Sequence, residues 1–363
     1  MKNTLALVVD FVPDGNRSFE AFLLGFSEKM VSAGWRLVHV YSGEPGPRFL
    51  SRLSEMNVPY ILAPKSLTFS DAYKLGSELK VYSPDVMLTA FYNAFNPVMW
   101  QLFRSSSVKH WVVSDHSSGV VNFKRGLANI LAKLRGAIVS RFVDRVIACS
   151  DFVRIRDIQS VYFRESKVKT VHNGIDVNRF APREQRENNP VKIVYAGQLI
   201  PEKGVATLLR AVADLRTEVK PRLLIAGTGY QQVELELLAY DLGLEPEWLG
   251  RIDWIPQLFA SSDIAVFPSN WAEAFGLVVA EAMACESCVV ASDIGGIPEV
   301  VGEGGVIVPP GDVKALQVIL DRLIENPILR RRLGEAGRRR VLEKFTIDKM
   351  IDGYAMVVNE VIR

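Results

Sequence analysis

Cysteine is scarce: three residues, Cys149, Cys285 and Cys288, in a chain of 363. An odd count excludes a complete disulfide framework. Cys285-x-x-Cys288 has the spacing of half a zinc or redox site, but no second pair exists. The four histidines, His39, His110, His116 and His172, show no metal-ligand spacing. The thiols are therefore expected as reduced core residues. Long apolar runs are also missing, so no stretch is read as a membrane span. Leu5–Val9 is too short for a signal-peptide core before Asp10, and reads as a first strand. A cytoplasmic location is the expectation. No Gly-x-Gly-x-x-Gly follows that strand. Gly227-Thr228-Gly229 lacks both a third glycine and a ribose-binding acid at the usual distance, which disfavours nicotinamide dinucleotide chemistry. No Asp-x-Asp of metal character stands out, so no catalytic metal and no cofactor are expected.

What is present bounds the architecture. A chain of this length holds two ordinary domains, and 48% hydrophobic residues suffice for two cores. The net charge of +2 is unevenly divided. Residues 1–182 carry 23 Lys and Arg against 15 Asp and Glu, a net +8; residues 183–363 carry 20 against 26, a net −6. The first half is thus suited to an anionic surface or acceptor. Leu5–Val9, Leu37–Val40, Val86–Thr89, Trp111–Val113, Val146–Ala148 and Lys169–Val171 read as strands, with helical stretches such as Phe19–Ala33 between most of them. Arg183–Asn189, flanked by Pro182 and Pro190, contains no apolar residue and is the best linker. The alternation then restarts with Ile193–Tyr195, Leu223–Ala226, Ile264–Phe267, Val289–Ala291 and Val306–Val308. The fold class expected is α/β: two Rossmann-like, doubly wound parallel-sheet domains facing across a cleft. Their bounds are 1–182, 183–345 and a C-terminal amphipathic helix, 346–363, which returns to the first domain or packs elsewhere.

The richest stretch is residues 268–284. Asp263–Phe267 reads as a buried strand, Pro268, Ser269 and Asn270 as a turn, and Gly276 onward as a buried helix. Unpaired N–H groups and the dipole at that helix start suit a phosphate. Glu273 and Glu281 are eight residues apart, about 12 Å along the axis if all were helical. A close acid–nucleophile pair needs roughly 5 Å, and an inverting pair roughly 6.5–9.5 Å. Grips on two ends of a ligand with an anionic middle fit better, as in a sugar joined through a diphosphate to a nucleoside. Local capping and solvation are the alternative for an isolated Glu-x7-Glu.

Five other loops line up with such a ligand. Pro13–Arg17 carries Gly15, which lets backbone approach a ligand. Ser114-Asp115-His116 puts a histidine at a strand's carboxyl end, to orient a hydroxyl, move a proton, or simply satisfy the loop. His172–Asp176 is a tight turn before the linker. Gly197–Gly204 places Lys203 to reach a diphosphate, or to pair with Glu202 in solvent. Asp293–Glu299 has two glycines, for close approach or for turn chemistry.

Taken in order, Gly-Gln-Leu-x-x-Glu-Lys-Gly, Ala-Gly-Thr-Gly, Pro-Ser-x-x-x-Glu-Ala-Phe-Gly-Leu-x-x-x-Glu-Ala-Met-Ala and Gly-Gly-Ile-Pro-Glu resemble glycosyltransferase family 4, densely from Lys169 to about Pro310. That family comprises retaining nucleotide-sugar transferases of GT-B fold. The resemblance implies a hexose moved to a hydroxyl of a glycan, lipid-linked or phosphorylated acceptor, in envelope or polysaccharide synthesis. It implies Glu273 near the reacting carbon, Glu281 on the ribose, and backbone N–H groups of Phe275, Gly276, Leu277 and Val278 on sugar and phosphates. Lys203 would hold the diphosphate, Gly15 would lie under it, His116 would contact sugar or acceptor, and Ile252 would lie by the base. Gln198 departs from the pattern, since the residue after Gly197 is usually Arg; Arg17 is the candidate replacement. A nucleotide-sugar epimerase or inverting transferase, or a binding protein without turnover, are the rival readings. No nucleic-acid partner is implied.

Two basic segments remain. Phe123–Arg145 interleaves Lys124, Arg125, Lys133, Arg135, Arg141 and Arg145 with Leu127, Ile130, Leu131, Leu134, Ile138 and Phe142. It reads as a helix packing on the first sheet, or as one lying on an anionic inner-membrane face. Arg330–Arg332 and Arg338–Arg340 read as a solvated helix face.

Overall fold

The computed structural model describes residues 3–13, 18–119, 126–159, 163–183 and 190–363, apart from the side chains of residues 128, 129 and 132. Gly15 and Arg17, the segment 123–125 and most of the expected linker lie outside the described residues. The chain forms two compact units. The first comprises Met1–Ser117, Val121–Gly174 and Ile347–Arg363; the second comprises Ser118–Val120 and Ile175–Thr346.

In the first unit the elements alternate: β1 (Thr4–Val9), α1 (Ser18–Ser32), β2 (Arg36–Tyr41), α2 (Pro47–Glu55), β3 (Tyr60–Leu62), α3 (Phe69–Val81), β4 (Val86–Ala90), α4 (Pro97–Ser105), β5 (His110–Asp115), α5 (Gly126–Phe142), β6 (Arg145–Ala148), α6 (Asp151–Gln159) and β7 (Val168–Thr170). All pairings are parallel, in the order β3-β2-β1-β4-β5-β6-β7. Every residue of β1 and β4 is buried, as expected of a parallel sheet covered on both faces. Leu5, Leu7 and Val9 meet Phe22, Phe26 and Met30 of α1 in a core that includes Tyr354 and Val358 from the end of the chain.

The second unit runs β8 (Lys192–Ala196), α7 (Val205–Ala213), β9 (Arg222–Ala226), α8 (Gln232–Asp241), β10 (Glu247–Gly250), α9 (Ile255–Ala260), β11 (Ile264–Phe267), α10 (Leu277–Ala284), β12 (Cys288–Ser292), α11 (Ile297–Val301), β13 (Gly305–Val308), α12 (Val313–Glu325) and α13 (Pro327–Lys344). The sheet order is β10-β9-β8-β11-β12-β13, again parallel. The last helix, α14 (Ile347–Glu360), belongs to the first unit.

Local chemistry explains the helix starts. Asn96 and Asn326 each cap a helix that opens with proline, α4 and α13, through a side-chain oxygen. Thr68 and Asp71 form a reciprocal capping box on α3. Two strands escape the sequence pattern, β3 and β10. Both are edge strands of three or four residues without a fully buried position, so neither reads as an apolar run. The three cysteines are buried thiols.

The arginine-rich helix α13 corrects one expectation. Three of its six arginines serve the interior rather than a solvated face. Arg330 is buried and donates to Leu323 and Ile324 O at 2.6 and 2.8 Å, at the end of α12. Arg338 donates to Ala284 O, at the end of α10, and to Phe180 O, both at 2.7 Å. Arg340 donates to Glu299 and Val300 O at 2.8 and 2.9 Å, at the end of α11. Each guanidinium thus satisfies carbonyls that a helix end leaves without an intrahelical partner. Arg331 alone among them makes an ordinary exposed i,i+4 pair, with Glu335.

Candidate active site

In the second unit the strand order reverses between β8 and β11. Ligands of open α/β sheets bind outside the carboxyl ends of the strands at such a switch point. The loops leaving β8 and β11 carry Lys203 and Glu273. Lys203 ends a short 3₁₀ turn, Pro201–Lys203, and Glu273 lies in the loop before α10. Their side chains meet, Nζ to Oε1 at 2.9 Å, with exposures of 27% and 16%. Lys203 therefore pairs with Glu273, not with its neighbour Glu202. An ammonium has three N–H donors, and this contact uses one.

Backbone contacts fix the two loops against each other. Asn270 N–H donates to Glu202 O at 2.8 Å, and Ser269 Oγ–H to the same oxygen at 3.1 Å. Gly204 makes this approach possible. Its φ is +69°, and a Cβ there would stand 1.9 Å from Pro268 O. Gly197 and Leu199 are tied to the end of β9 and the loop after it by N–H bonds to Ala226 O and Thr228 O, each 3.0 Å. Gln198 gives its carbonyl to Tyr195 Oη at 2.8 Å. Burial, reinforced by the Glu273 carboxylate, pushes the Tyr195 hydroxyl's pKa up, so it stays a donor.

The glycines of Asp293–Glu299 serve this loop's own backbone. Gly296 N–H donates to Glu273 O at 2.8 Å. At Gly295, with φ +65°, a Cβ would lie 2.5 Å from Glu273 O and 2.6 Å from Glu273 N. The close approach is thus protein to protein, and it sets where Glu273 stands. Ser118 and Gly119, grouped with this unit, add two contacts from far away in sequence. Gly119 N–H donates to Ala272 O at 2.8 Å, and Ser118 Oγ accepts from Ala274 N–H at 3.2 Å.

Gly276, with φ +97°, is the N-cap of α10, and no side chain caps the helix. The first-turn N–H groups at Leu277 and Val278 have no intrahelical acceptor by geometry. Phe275 is buried edge-on to Phe345 at 5.4 Å, so it anchors the loop through its ring. Glu281 is half-buried in the middle of α10. Only Leu277–Ala284 is helical, so half of the Glu273–Glu281 spacing is loop. Ile252 is half-buried just beyond β10. That edge strand is held at its end by Gly227 N–H to Gly250 O, 2.8 Å.

His116 belongs to the first unit, directly after β5. Its Nε2 faces Ser114 Oγ at 2.8 Å and Tyr354 Oη of α14 at 3.2 Å, while those two hydroxyls are 2.5 Å apart. The ring stacks on Phe91 at 4.8 Å and meets Phe19 edge-on at 5.2 Å. Phe91 holds φ +65°, a strained conformation for a bulky residue. Burial lowers the His116 pKa to about 4, against the opposing pull of Asp115. The ring is a neutral imidazole at neutral pH. Its loop is fixed by Arg156, which donates to Asp115 Oδ2 at 2.9 Å and to Ser117 Oγ at 3.0 Å, and by Ser117 N–H to Asp115 Oδ1 at 2.7 Å. Tyr354, 238 positions from His116, and Ser118 have no sequence signal; only folding brings them to these loops.

The comparisons agree with this architecture. The family model described as Glycosyl transferases group 1 matches residues 176–340, and that described as Glycosyltransferase Family 4 matches residues 20–179. Among curated proteins, the chain is 39% identical over 180 residues to an MMP alpha-(1->4)-mannosyltransferase of Mycolicibacterium hassiacum, covering 48% of this chain and 43% of that protein. It is 29% identical over 208 residues to the N-acetyl-alpha-D-glucosaminyl L-malate synthase of Bacillus anthracis, covering 54% of each. The chain thus spans about half the length of the curated relatives it matches. A crystal structure of a glycosyltransferase from Rickettsia africae superposes with a TM-score of 0.83 at 21% identity, over 100% of this chain and 99% of that one. Anabaena Alr3699/HepE in complex with UDP and glucose gives 0.77 at 21%, over 98% and 99%. These likenesses show the fold, two Rossmann-like α/β units of the GT-B type. The two family models span residues 20–340 between them, and the chain belongs to the glycosyltransferases of group 1 and family 4.

Proposed function

We propose that this protein is a retaining glycosyltransferase that moves a hexose-type sugar from a nucleoside-diphosphate donor to an acceptor hydroxyl. The observation that carries the proposal is the contact of Lys203 with Glu273, in the loop that leads into the N-terminus of α10, at the switch point of the second sheet. Cleavage between the anomeric carbon and the phosphate leaves negative charge on a diphosphate. Lys203 and the first-turn N–H groups of α10 are preorganised to receive it, which lowers the barrier without reorganisation at the moment of reaction. The proposal gives no role to a metal. Glu273, held by Lys203 and by Gly296, faces the donor sugar. Glu281 takes the ribose hydroxyls, Gln198 and Ile252 line the nucleotide end, and neutral His116 offers a hydrogen bond to a sugar or acceptor hydroxyl. The acceptor attacks from the leaving-group face, its proton passing to the departing phosphate, which retains configuration.

The acceptor proposed is a glycan, lipid-linked or phosphorylated alcohol, used in building envelope or polysaccharide. Relatives named as a mannosyltransferase, a glucosaminyl malate synthase and a D-inositol 3-phosphate glycosyltransferase support the general class and differ in acceptor. A structural neighbour determined with UDP-glucose supports the donor class. Gln198, standing where the family pattern has a cation, favours binding without turnover as the second reading.

A thermal-shift panel with UDP, GDP, ADP, dTDP, CMP and NAD is the first test. A ligand at about 100 times its Kd stabilises by about 2.7 kcal/mol. A selective shift with one nucleoside diphosphate is expected, followed by a product of unchanged anomeric configuration by NMR. A response to NAD alone, or an inverted product, refutes the proposal; binding with no transfer to any hydroxyl acceptor establishes the second reading.

A further inference from the structure

Helix α5 turns its apolar face outward. Leu127, Ile130, Leu131, Leu134, Ile138 and Phe142 are 40–71% exposed. At 3.6 residues per turn they fall within an arc of about 120°. Among its described side chains, the buried ones, Gly136, Val139 and Ser140, lie on the opposite side. The expectation of a helix packing its apolar stripe on the sheet is therefore corrected: Gly136, Val139 and Ser140 face the fold, and of the stripe only Phe142, at its end, also touches the unit. Lys133 and Arg135 border the stripe on its two sides, and Arg141 lies within it; all three are exposed. No acidic residue occurs between Gly126 and Phe142.

The helix is held firmly to its unit at the far end. Lys167 donates to Ser140 O and Val143 O at 2.5 and 2.7 Å, across the helix C-terminus. The Phe142 ring packs on Trp100 at 5.0 Å, and the Arg135 guanidinium sits over Phe95 at 4.6 Å. The helix is about 25 Å long, and these contacts tie its C-terminal half, from Arg135 to Phe142, to the unit. An exposed apolar stripe of this size marks an interaction surface.

We infer that α5 lies in the interface of an anionic phospholipid bilayer, its apolar stripe among the acyl chains and its basic residues at the headgroup phosphates. The charge pattern selects this occupant. A helix in the membrane plane needs a long apolar stripe edged by lysine and arginine, and lipid phosphates supply the opposite charge along its length. Symmetric pairing of two copies through this face would set the basic residues against each other. The helix lies in the basic half of the chain, residues 1–182 having a net +8. The inference rests on α5 and its basic surroundings and does not depend on the transfer reaction proposed above.

The test is flotation of the full chain with vesicles of phosphatidylcholine, with and without phosphatidylglycerol. The protein is expected to float with the anionic vesicles and to be released by salt. Ile130→Glu/Leu134→Glu should reduce the bound fraction about tenfold or more by placing carboxylates in the stripe, with an unchanged unfolding midpoint because both positions are exposed. Should that variant lose its fold, Ile130→Ala/Leu134→Ala/Ile138→Ala makes the same test without added charge. Lys133→Gln/Arg141→Gln should float less with anionic vesicles and lose the salt dependence. Absence of flotation, equal flotation with neutral vesicles, or undiminished flotation of the stripe variants each overturns the inference. A dimer in solution that the stripe substitutions split, without vesicle binding, would make the face a contact between copies instead.

Discussion

Replacing Lys203 with methionine tests whether the ammonium serves the ligand or only Glu273. The side chain keeps its length and loses its charge. The 2.9 Å pair with Glu273 is mostly but not fully shielded. Exposed pairs contribute about 0–1 kcal/mol, and breaking a fully buried one costs about 3–5. After allowance for solvent screening, a cost of about 2 kcal/mol is expected, which lowers Tm by roughly 4–8 °C for a unit of this size. Glu273→Gln breaks the same pair and should cost a similar amount. Ligand binding separates the two variants. If Lys203 holds the diphosphate as proposed, Lys203→Met should lose a charged hydrogen bond to it, about 1.5–3 kcal/mol, or roughly 10–150-fold in Kd. Glu273→Gln leaves the ammonium without a competing carboxylate, so nucleoside-diphosphate affinity should hold or rise. Calorimetric titration of both folded variants with the nucleotide found in the thermal-shift panel decides. Equal losses in the two would show that Lys203 acts only through Glu273, and an unchanged Lys203→Met would remove it from the site.

Three further outcomes follow from the packing. His39 is a fully buried ring whose pKa burial lowers from 6.5 to about 3; it is neutral in the folded state, while the unfolded chain protonates first as pH falls. Its contribution is intact above about pH 6.5 and is lost progressively toward about pH 3, on the order of 4–5 kcal/mol in all; denaturant midpoints measured across that range should fall steeply, and His39→Gln should flatten the slope. Arg338→Ala removes the donor shared by Phe180 and Ala284 carbonyls and should cost about 3 kcal/mol, whereas Arg331→Ala, at an exposed pair, should cost about 0.5 or less; equal midpoints would refute the capping role. Gly295→Ala and Gly243→Ala share a left-handed φ, but only the first places a Cβ against the Glu273 backbone. Gly243→Ala should cost about 1–2 kcal/mol for conformation alone, and Gly295→Ala measurably more, together with weaker nucleotide binding; matching values would show that the Glu273 loop yields.

The parallel α/β class was legible because strands covered on both faces must be apolar almost throughout. Leu5–Val9, Val86–Thr89 and Ile264–Phe267 announce themselves as short unbroken apolar runs, and each is a buried strand. The edge strands β3 and β10 pair on one side only and carry no such signal. The loop motifs marked Lys203, Glu273, Gly276 and Glu281 as candidates, because glycines, a turn and a helix start follow strand ends in order. Side-chain partners were not legible. Pairing Lys203 with Glu273 rather than Glu202 depends on the adjacency of β8 and β11, which is a property of sheet order. The same holds for the glycines at 295 and 296, whose neighbour is the Glu273 loop.

Charge runs were the least legible feature. Arg330, Arg338 and Arg340 look alike in sequence to Arg331, yet helix ends from elsewhere in the chain draw them inward. Amphipathic periodicity in α5 fixed that one face is apolar, and could not fix which way that face turns. The sequence by itself determined the elements, their parallel alternation and the family of loop motifs, since these follow from local pattern and burial period. Only the tertiary structure decided which loops touch, that Tyr354 reaches His116 from the last helix, and that the apolar stripe of α5 points away from the core, because each of these is set by packing between residues far apart in the chain.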